Sequence, residues 1–285
     1  MLIKKGASVD IRDGYGQTPI SWAVYHGHKD MTKLLHKYGA RFKSQNKQPF
    51  STDIIGLTPL SFAISRQQED VIQMLLDTNT GVEAESRNGR RPLHTAVSVN
   101  DIETVELLLH KGVEIDPTNS KHYTPLYIAA MLGYVDIMQL LLKKGANIEA
   151  HNSSGQTPLF IASREGHIDA VQVLLEKGAN VEGSSNAFWT PLYAAAERNN
   201  AETVRVLLQN GADTEATNRG RYTPLRVAAG YGHVEAIQIL LEGGANPSAI
   251  YPSIRKNLCR ISACGGRRKV ERMLLRTAPR SRHVD

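Results

Sequence analysis

The sequence predicts an all-α repeat solenoid, a stack of helix–turn–helix units with hairpin-like loops between them. Three observations lead to this fold class: a Thr-Pro pair that recurs with a fixed period, a Gly-Ala pair that recurs with the same period, and apolar residues at helical spacing before each Gly-Ala pair. Two independent series that share one period indicate a structural repeat. We therefore predict one continuous array, in which each unit covers an apolar face that its neighbour could not bury alone.

The first series marks the start of the first helix in each unit. Thr, or once Arg, is followed by Pro and then Leu or Ile, at spacings of 40, 33, 33, 33, 33 and 33 residues. A capping hydroxyl followed by proline at the first helical position is a typical helix start. Nine residues later stand mostly residue types that tolerate a left-handed helix end, so this helix has about two turns. The anchors are Thr18, Thr58, Arg91, Thr124, Thr157, Thr190 and Thr223, and the residues nine positions later are Gly27, Gln67, Asn100, Gly133, Gly166, Asn199 and Gly232.

The second series marks the end of the second helix. Apolar residues at helical spacing, for example Val234, Ile237, Leu240 and Leu241, lead to a Gly followed by Ala or Val. Five residues before each anchor is an Asp, Asn or Ser, whose side chain can hold a tight turn by bonding its own backbone. Each unit therefore projects a hairpin-like loop. The glycines are Gly6, Gly39, Gly112, Gly145, Gly178, Gly211 and Gly244, and the turn residues are Asp13, Asp53, Ser86, Asn119, Asn152, Ser185 and Asn218.

These motifs resemble ankyrin repeats. The resemblance is carried by the segment from Gly155 to Ala162, which reads GQTPLFIA, by Gly166-His167, and by the segment from Leu174 to Asn180. The same framework spans almost the whole chain. The resemblance implies a stack of helix pairs that binds other proteins. It also implies a structural role for the histidines in the Gly-His position, which are His28, His167 and His233.

The phase of the repeats predicts their boundaries. They are a partial N-terminal repeat at 1–12, repeats at 13–42, 53–85, 86–118, 119–151, 152–184, 185–217 and 218–250, an insertion loop at 43–52, a degenerate C-terminal capping repeat at 251–277 and a basic tail at 278–285. We interpret the insertion as a surface loop rather than a binding finger. The array starts in mid-repeat, so we expect the chain to be a fragment or a truncated product of a longer ankyrin protein. Arg91 replaces a capping Thr, which predicts a weaker cap there.

The resemblance also implies where a partner binds. In the ankyrin family, contacts come mainly from the loop tips and the concave side of the first helix, which correspond here to residues one, three and four before the anchor and seven and eight after it. These positions are rich in Tyr, Trp, Arg and Met, which anchor protein interfaces. The candidates are Tyr15, Tyr25, His26, Arg66, Arg87, Arg90, Lys121, Tyr123, Met131, Leu132, Arg164, Trp189, Arg198, Arg219, Tyr222 and Tyr231. Tyr123, Trp189 and Tyr222 each precede an anchor directly, and we predict a row of aromatic anchors; the alternative is that they pack against the neighbouring loop.

The charge of the chain is concentrated at its C-terminal end. From Arg255 onward, ten Lys or Arg residues accompany Glu271 and Asp285, a net charge of +8, so the rest of the chain carries −2 of the total of +6. A basic end can attract nucleic acid, an anionic lipid surface or an acidic partner. The alternative interpretation is a solvated cap with a frayed tail.

Several function classes have no support in the sequence. There is no signal peptide, no long apolar span, no metal-ligand spacing, and no nucleophile, phosphate-loop or dinucleotide motif. Cys259 and Cys264 fit neither a disulfide framework nor a zinc site, which indicates reduced thiols in the cytosol or nucleus. We therefore expect a monomeric, non-catalytic scaffold or adaptor that has no cofactor or metal. We expect it to bind an unidentified protein and to be part of a larger intracellular signalling protein.

Overall fold

The computed structural model describes residues 6–14, 17–40, 57–79, 81–183 and 185–250. The predicted insertion loop, the predicted C-terminal cap and tail, the turn residue Asp53 and the candidate Tyr15 lie outside these residues. Each predicted repeat from 13–42 to 218–250 holds one pair of helices.

The described residues form fourteen α-helices and no strand, which confirms the all-α repeat class. The first helices of the pairs are α1 (Pro19–Tyr25), α3 (Pro59–Ser65), α5 (Pro92–Ser98), α7 (Pro125–Leu132), α9 (Pro158–Glu165), α11 (Pro191–Glu197) and α13 (Pro224–Tyr231). The second helices are α2 (Lys29–Lys37), α4 (Glu69–Asp77), α6 (Ile102–His110), α8 (Val135–Lys143), α10 (Ile168–Glu176), α12 (Ala201–Gln209) and α14 (Val234–Glu242). A short 3₁₀ helix follows at Pro247–Ile250.

The chain divides into two compact units, each a stack of helix pairs. The first holds the described residues up to Ala129 together with Asp136–Asn147, and the second holds Ala130–Val135 and the described residues from Ile148. In the first unit, α3 packs on α1, α4 and α5, while α4 packs on α2 and α6. In the second unit, α11 packs on α9, α12 and α13, while α12 also packs on α10 and α14. Each layer of helices thus buries the apolar face of its neighbours.

The helix ends follow the sequence pattern. Thr157 Oγ1 accepts the backbone N–H of Phe160 at 3.2 Å, and the other described Thr anchors cap in the same way. All seven residues predicted to end the first helix are left-handed, with φ between 52° at Gln67 and 79° at Gly166. Asn79, with φ of 50°, takes the place of the glycine that the second series lacks in one repeat. At Arg91, where the sequence predicts a weaker cap, the side chain makes no capping bond.

The predicted turn residues hold the loops. Asn152 Oδ1 accepts the backbone N–H groups of Ser154 at 2.9 Å and Gln156 at 3.0 Å, and the other described turn residues accept from the residue four positions later. Backbone bonds also join neighbouring loops, since the N–H of Asn186 donates to the carbonyl of Ser154 at 2.9 Å. The loops of a unit therefore support one another as a continuous edge.

A ladder of carboxylates, which the sequence analysis did not predict, joins consecutive repeats. One oxygen of each carboxylate accepts a backbone N–H located 31 residues later, at 2.6 to 2.8 Å. Such a charge-assisted bond is stronger than one between neutral groups. The carboxylates are Glu83, Asp116, Glu149, Glu182 and Glu215, and their partners are Glu114, Asn147, Asn180, Asp213 and Asn246.

Removing one carboxylate of this ladder should loosen the stack measurably. We expect Glu182→Ala to lower the free energy of unfolding by about 1–2 kcal/mol, because the N–H of Asp213 loses its acceptor. Glu176→Ala is the matched control, since Glu176 is exposed at the end of α10 and should change stability by less than about 0.5 kcal/mol. Urea unfolding followed by circular dichroism measures both. Equal effects of the two substitutions would contradict a stabilising ladder.

Candidate interaction surface

The predicted partner-binding residues lie at the loop tips and at the C-terminal ends of the first helices. Of those that the structure describes, His26, Arg66, Arg87, Lys121, Leu132, Arg198, Arg219, Tyr222 and Tyr231 are exposed, and Tyr25, Arg90, Tyr123, Met131, Arg164 and Trp189 are half-buried. Arg90 is engaged within its own repeat, because its guanidinium donates to Ser98 Oγ and to the carbonyl of His94. Burial lowers the pKa of Arg90.

Aromatic side chains cluster on α1 and α3 in the first unit. The ring of Tyr25 stacks on that of Phe62 with centroids 4.7 Å apart, and Trp22 stacks on His26 at 5.3 Å. Trp22 Nε1 donates to Asp13 Oδ2 at 2.9 Å, yet the Trp22 side chain remains 41% exposed. Trp22 was not among the predicted residues, because the positions chosen from the family omit the one four residues after the anchor.

The three aromatic residues that precede an anchor each contact the residue four positions later. Tyr123 stacks on Tyr127 at 4.5 Å and Trp189 on Tyr193 at 5.6 Å. The guanidinium carbon of Arg226 lies 4.0 Å from the centroid of the Tyr222 ring. Each of these three rings is thus supported from its own helix.

The second unit brings aromatic and arginine side chains together on the loop tips and first helices. Burial, together with the negative charges of Glu197 and of ionised Tyr231 and Tyr222, raises the pKa of Tyr193 to about 12. Phe188 is 56% exposed, Tyr231 is 55% exposed, and the guanidinium carbon of Arg219 lies 5.6 Å from the Phe188 ring centroid. We call this surface the aromatic–arginine face. It consists of Phe188, Trp189, Arg219, Tyr222, Arg226 and Tyr231.

Phe188 and Arg226 are members of this face that the sequence analysis missed. Phe188 stands two residues before its anchor, a position that was not carried over from the family. A signal was present in the sequence, because that position is glycine at Gly16, Gly56, Gly89 and Gly155 and a large side chain at His122, Phe188 and Arg221.

Two histidines of the Gly-His position have the structural role that the resemblance implied. The Nε2 of His167 is 3.0 Å from the carbonyl of Met131, and the Nε2 of His233 is 3.0 Å from the carbonyl of Glu197. Because a carbonyl can only accept, both rings carry their proton on Nε2. His28 instead stacks against His26 at 5.8 Å.

The part of the chain that the structure describes holds no group of three or more His, Cys, Asp or Glu side chains suited to a metal ion. Among its helices, none combines the length and apolar character needed to cross a membrane.

Comparisons with known proteins agree with the repeat pattern. A family model described as ankyrin repeats (3 copies) matches residues 42–119, 93–185 and 182–250, and one described as ankyrin repeats (many copies) matches residues 1–36. The chain belongs to the ankyrin repeat family. Members of this family generally mediate protein–protein interactions and are typically non-catalytic modules.

Individual ankyrin repeat proteins show a similar arrangement. The crystal structure of an ankyrin repeat domain from Acinetobacter baumannii AYE matches with a TM-score of 0.60 and 28% identity, covering 66% of this chain and 98% of that domain. An ankyrin repeat protein of fowlpox virus (strain NVSL) is 33% identical over 85 residues, which are 29% of this ankyrin repeat chain and 11% of the viral protein. The matched part thus spans about a tenth of the length of this relative.

Proposed function

We propose that this ankyrin repeat chain is a scaffold or adaptor that binds another protein through its loop tips and the concave side of its first helices. The observation that carries the proposal is the aromatic–arginine face, on which Phe188, Tyr222 and Tyr231 are each more than 40% exposed. Exposed aromatic side chains grouped on neighbouring loop tips and first helices are typical of interaction surfaces. Tyr, Trp and Arg are also the residue types that contribute most of the binding energy at protein interfaces.

The geometry of the face supports rigid recognition. Trp189 is supported by Tyr193, and Tyr222 by Arg226, so these rings are held in place before a partner arrives. A rigid aromatic surface loses little conformational entropy on binding, which favours affinity. The loops that carry these residues are joined by the backbone bond from the N–H of Arg219 to the carbonyl of Ala187 at 3.3 Å.

Affinity capture from a cell extract tests this proposal. The bait proteins are the intact chain, a Trp189→Ala/Tyr222→Ala double variant and a Tyr38→Ala control, in which an exposed tyrosine at the end of α2 is removed. We expect the same proteins to remain on the intact chain and on the control after a high-salt wash, and to be lost from the double variant. Retention of the same proteins by the double variant would show that the face does not bind them.

We further propose that the chain acts within a larger intracellular signalling protein in which other domains perform the chemistry. The small share of the viral relative that the chain matches supports a longer context for such arrays. In this proposal the ankyrin stack supplies the binding surface, and a separate module would act on the captured partner.

A second candidate function is electrostatic tethering through the basic C-terminal end, which lies outside the described residues. Ten Lys or Arg residues between Arg255 and Asp285 support it. Tethering to nucleic acid or an anionic membrane surface predicts binding that weakens steeply with salt and disappears when the chain is truncated after Ile250. Co-sedimentation with phosphatidylserine vesicles and gel shift with duplex DNA separate the two targets. Equal binding by the truncated chain would exclude the tail.

A further inference from the structure

The loop tips hold large side chains in a backbone conformation that suits glycine. The residue two positions before the anchor is left-handed at Gly89, Gly155, His122, Phe188 and Arg221, with φ between 56° and 74°. L-residues with a bulky side chain rarely adopt this conformation, and it costs stability. Gly89 and Gly155 occupy the equivalent position in two other repeats, so the fold accepts glycine at this position. His122, Phe188 and Arg221 thus hold exposed side chains at the expense of stability. Of these three, Phe188 and Arg221 lie in the second unit, next to the other residues of the aromatic–arginine face.

Charge is sorted within the second unit in a way that sets the loop tips and first helices apart. Between Ile148 and Ile250, the loop tips and first helices carry five arginines and only two carboxylates. The second helices and connecting segments of the same range carry nine carboxylates and two basic residues. The five arginines are Arg164, Arg198, Arg219, Arg221 and Arg226, and the two carboxylates are Glu165 and Glu197. A positive surface is therefore displayed by a unit whose other segments are negative.

These five arginines have no carboxylate within 4 Å among the residues that the structure describes. Elsewhere in the same unit, Arg205 pairs with Glu202 at 3.3 Å, so paired arginines do occur in this unit. Arg219 lies over the ring of Phe188 and Arg226 over that of Tyr222, an arrangement that orients the guanidinium groups. An oriented guanidinium presents a planar fork that matches a carboxylate with two parallel hydrogen bonds.

We infer that the aromatic–arginine face, together with Arg198 and Arg221, docks an acidic polypeptide segment. Carboxylates of that segment pair with the exposed Arg198, Arg219 and Arg221, and its apolar side chains pack against the rings of Phe188 and Tyr222. The inference rests on the proposed function and adds the chemical class of the partner. A peptide fits better than a nucleic acid, because the acidic segments around the face repel a long polyanion more than a short segment with a few carboxylates.

The test selects peptides without a prior choice of sequence. Random dodecapeptides displayed on phage are selected on the intact, immobilised chain, and the enriched peptides are synthesised with a fluorescent label for anisotropy titrations. We expect them to carry an excess of Asp and Glu. Phe188→Gly and Arg221→Gly should each lower their affinity at least tenfold, while raising the midpoint of thermal unfolding by about 2 °C because strain is relieved.

His122→Gly is the matched control, since His122 has φ of 59° at the equivalent position in the first unit. It should raise the unfolding midpoint similarly and leave peptide affinity unchanged. Neutral or basic selected peptides that lose binding in Trp189→Ala/Tyr222→Ala would overturn the acidic specificity and leave the proposed function intact. Selected peptides that bind this double variant normally would overturn both. Failure to enrich any peptide, or binding of a 20-nucleotide single strand through these arginines instead, would also overturn the inference.

Discussion

His94→Ala should lower the free energy of unfolding by about 3–4 kcal/mol, one of the two largest effects expected for this chain. The His94 side chain is fully buried; its Nδ1 accepts the backbone N–H of Arg91 at 3.1 Å, and its Nε2 donates to the carbonyl of Tyr123 at 3.0 Å. Alanine would leave both backbone groups without these partners and would open a cavity. The loss is larger here because Arg91 cannot supply the cap that a Thr gives in the other repeats.

His94→Phe separates the hydrogen bonds from the packing. Phe160 fills the same register in another repeat, so a phenyl ring fits this position while forming neither bond. We expect the Phe variant to lose about half as much stability as the Ala variant. Urea unfolding at pH 7.5, followed by circular dichroism, measures both. If the free energy of unfolding of neither variant differs from that of the natural chain by more than about 1 kcal/mol, His94 does not help to join the repeats at 86–118 and 119–151.

Acidification should also destabilise the first unit through His94, by about 3 kcal/mol between pH 6.5 and pH 4. The pKa of His94 is lowered to about 4, mainly by burial and also by the positive charges of Arg90 and Arg91, while the hydrogen bond to the carbonyl of Tyr123 opposes the shift. The hydrogen-bond geometry also favours a lowered pKa, because a proton on Nδ1 of His94 would remove the acceptor of the Arg91 N–H.

The sign follows from proton uptake. In the unfolded chain His94 takes up a proton near its ordinary pKa of 6.5, whereas the folded chain resists uptake until about pH 4. The stabilisation is thus complete above pH 6.5 and is lost as the pH falls toward 4. Urea unfolding at several pH values, with His94→Phe as the control, isolates this contribution. Parallel pH curves for the natural chain and the Phe variant would contradict it.

The repeat framework could be predicted from sequence because its residues act locally. A Thr hydroxyl caps the helix that starts beside it, and Asn152 closes a turn only four residues long, so the same short motif gives the same structure in each repeat. Even Gln67, which is not a typical left-handed residue, adopts φ of 52° because the surrounding pattern requires it. Local chemistry and period together determine this part of the fold.

Features that depend on contacts between repeats could not be predicted in the same way. The carboxylate of Glu182 accepts the backbone N–H of Asp213, which lies 31 residues away. In the sequence, the only sign of this bond is one acidic residue at the equivalent position of each repeat, which by itself does not indicate a contact. The exposure of aromatic residues depends on what lies beneath them. Tyr123 rests on the ring of Tyr127 and is half-buried, whereas Tyr222 lies against the slender side chain of Arg226 and remains 41% exposed.

The most direct test of the interaction surface is hydroxyl-radical footprinting of the intact chain, free and in complex with a protein obtained by the affinity capture. Aromatic side chains react readily when exposed, so mass spectrometry reports which of them a partner covers. We predict protection of Phe188, Trp189, Tyr222 and Tyr231, with Tyr38 at the end of α2 still reactive. Protection confined to Tyr38 and the second helices, with the aromatic–arginine face as reactive as in the free chain, would contradict the proposed binding mode.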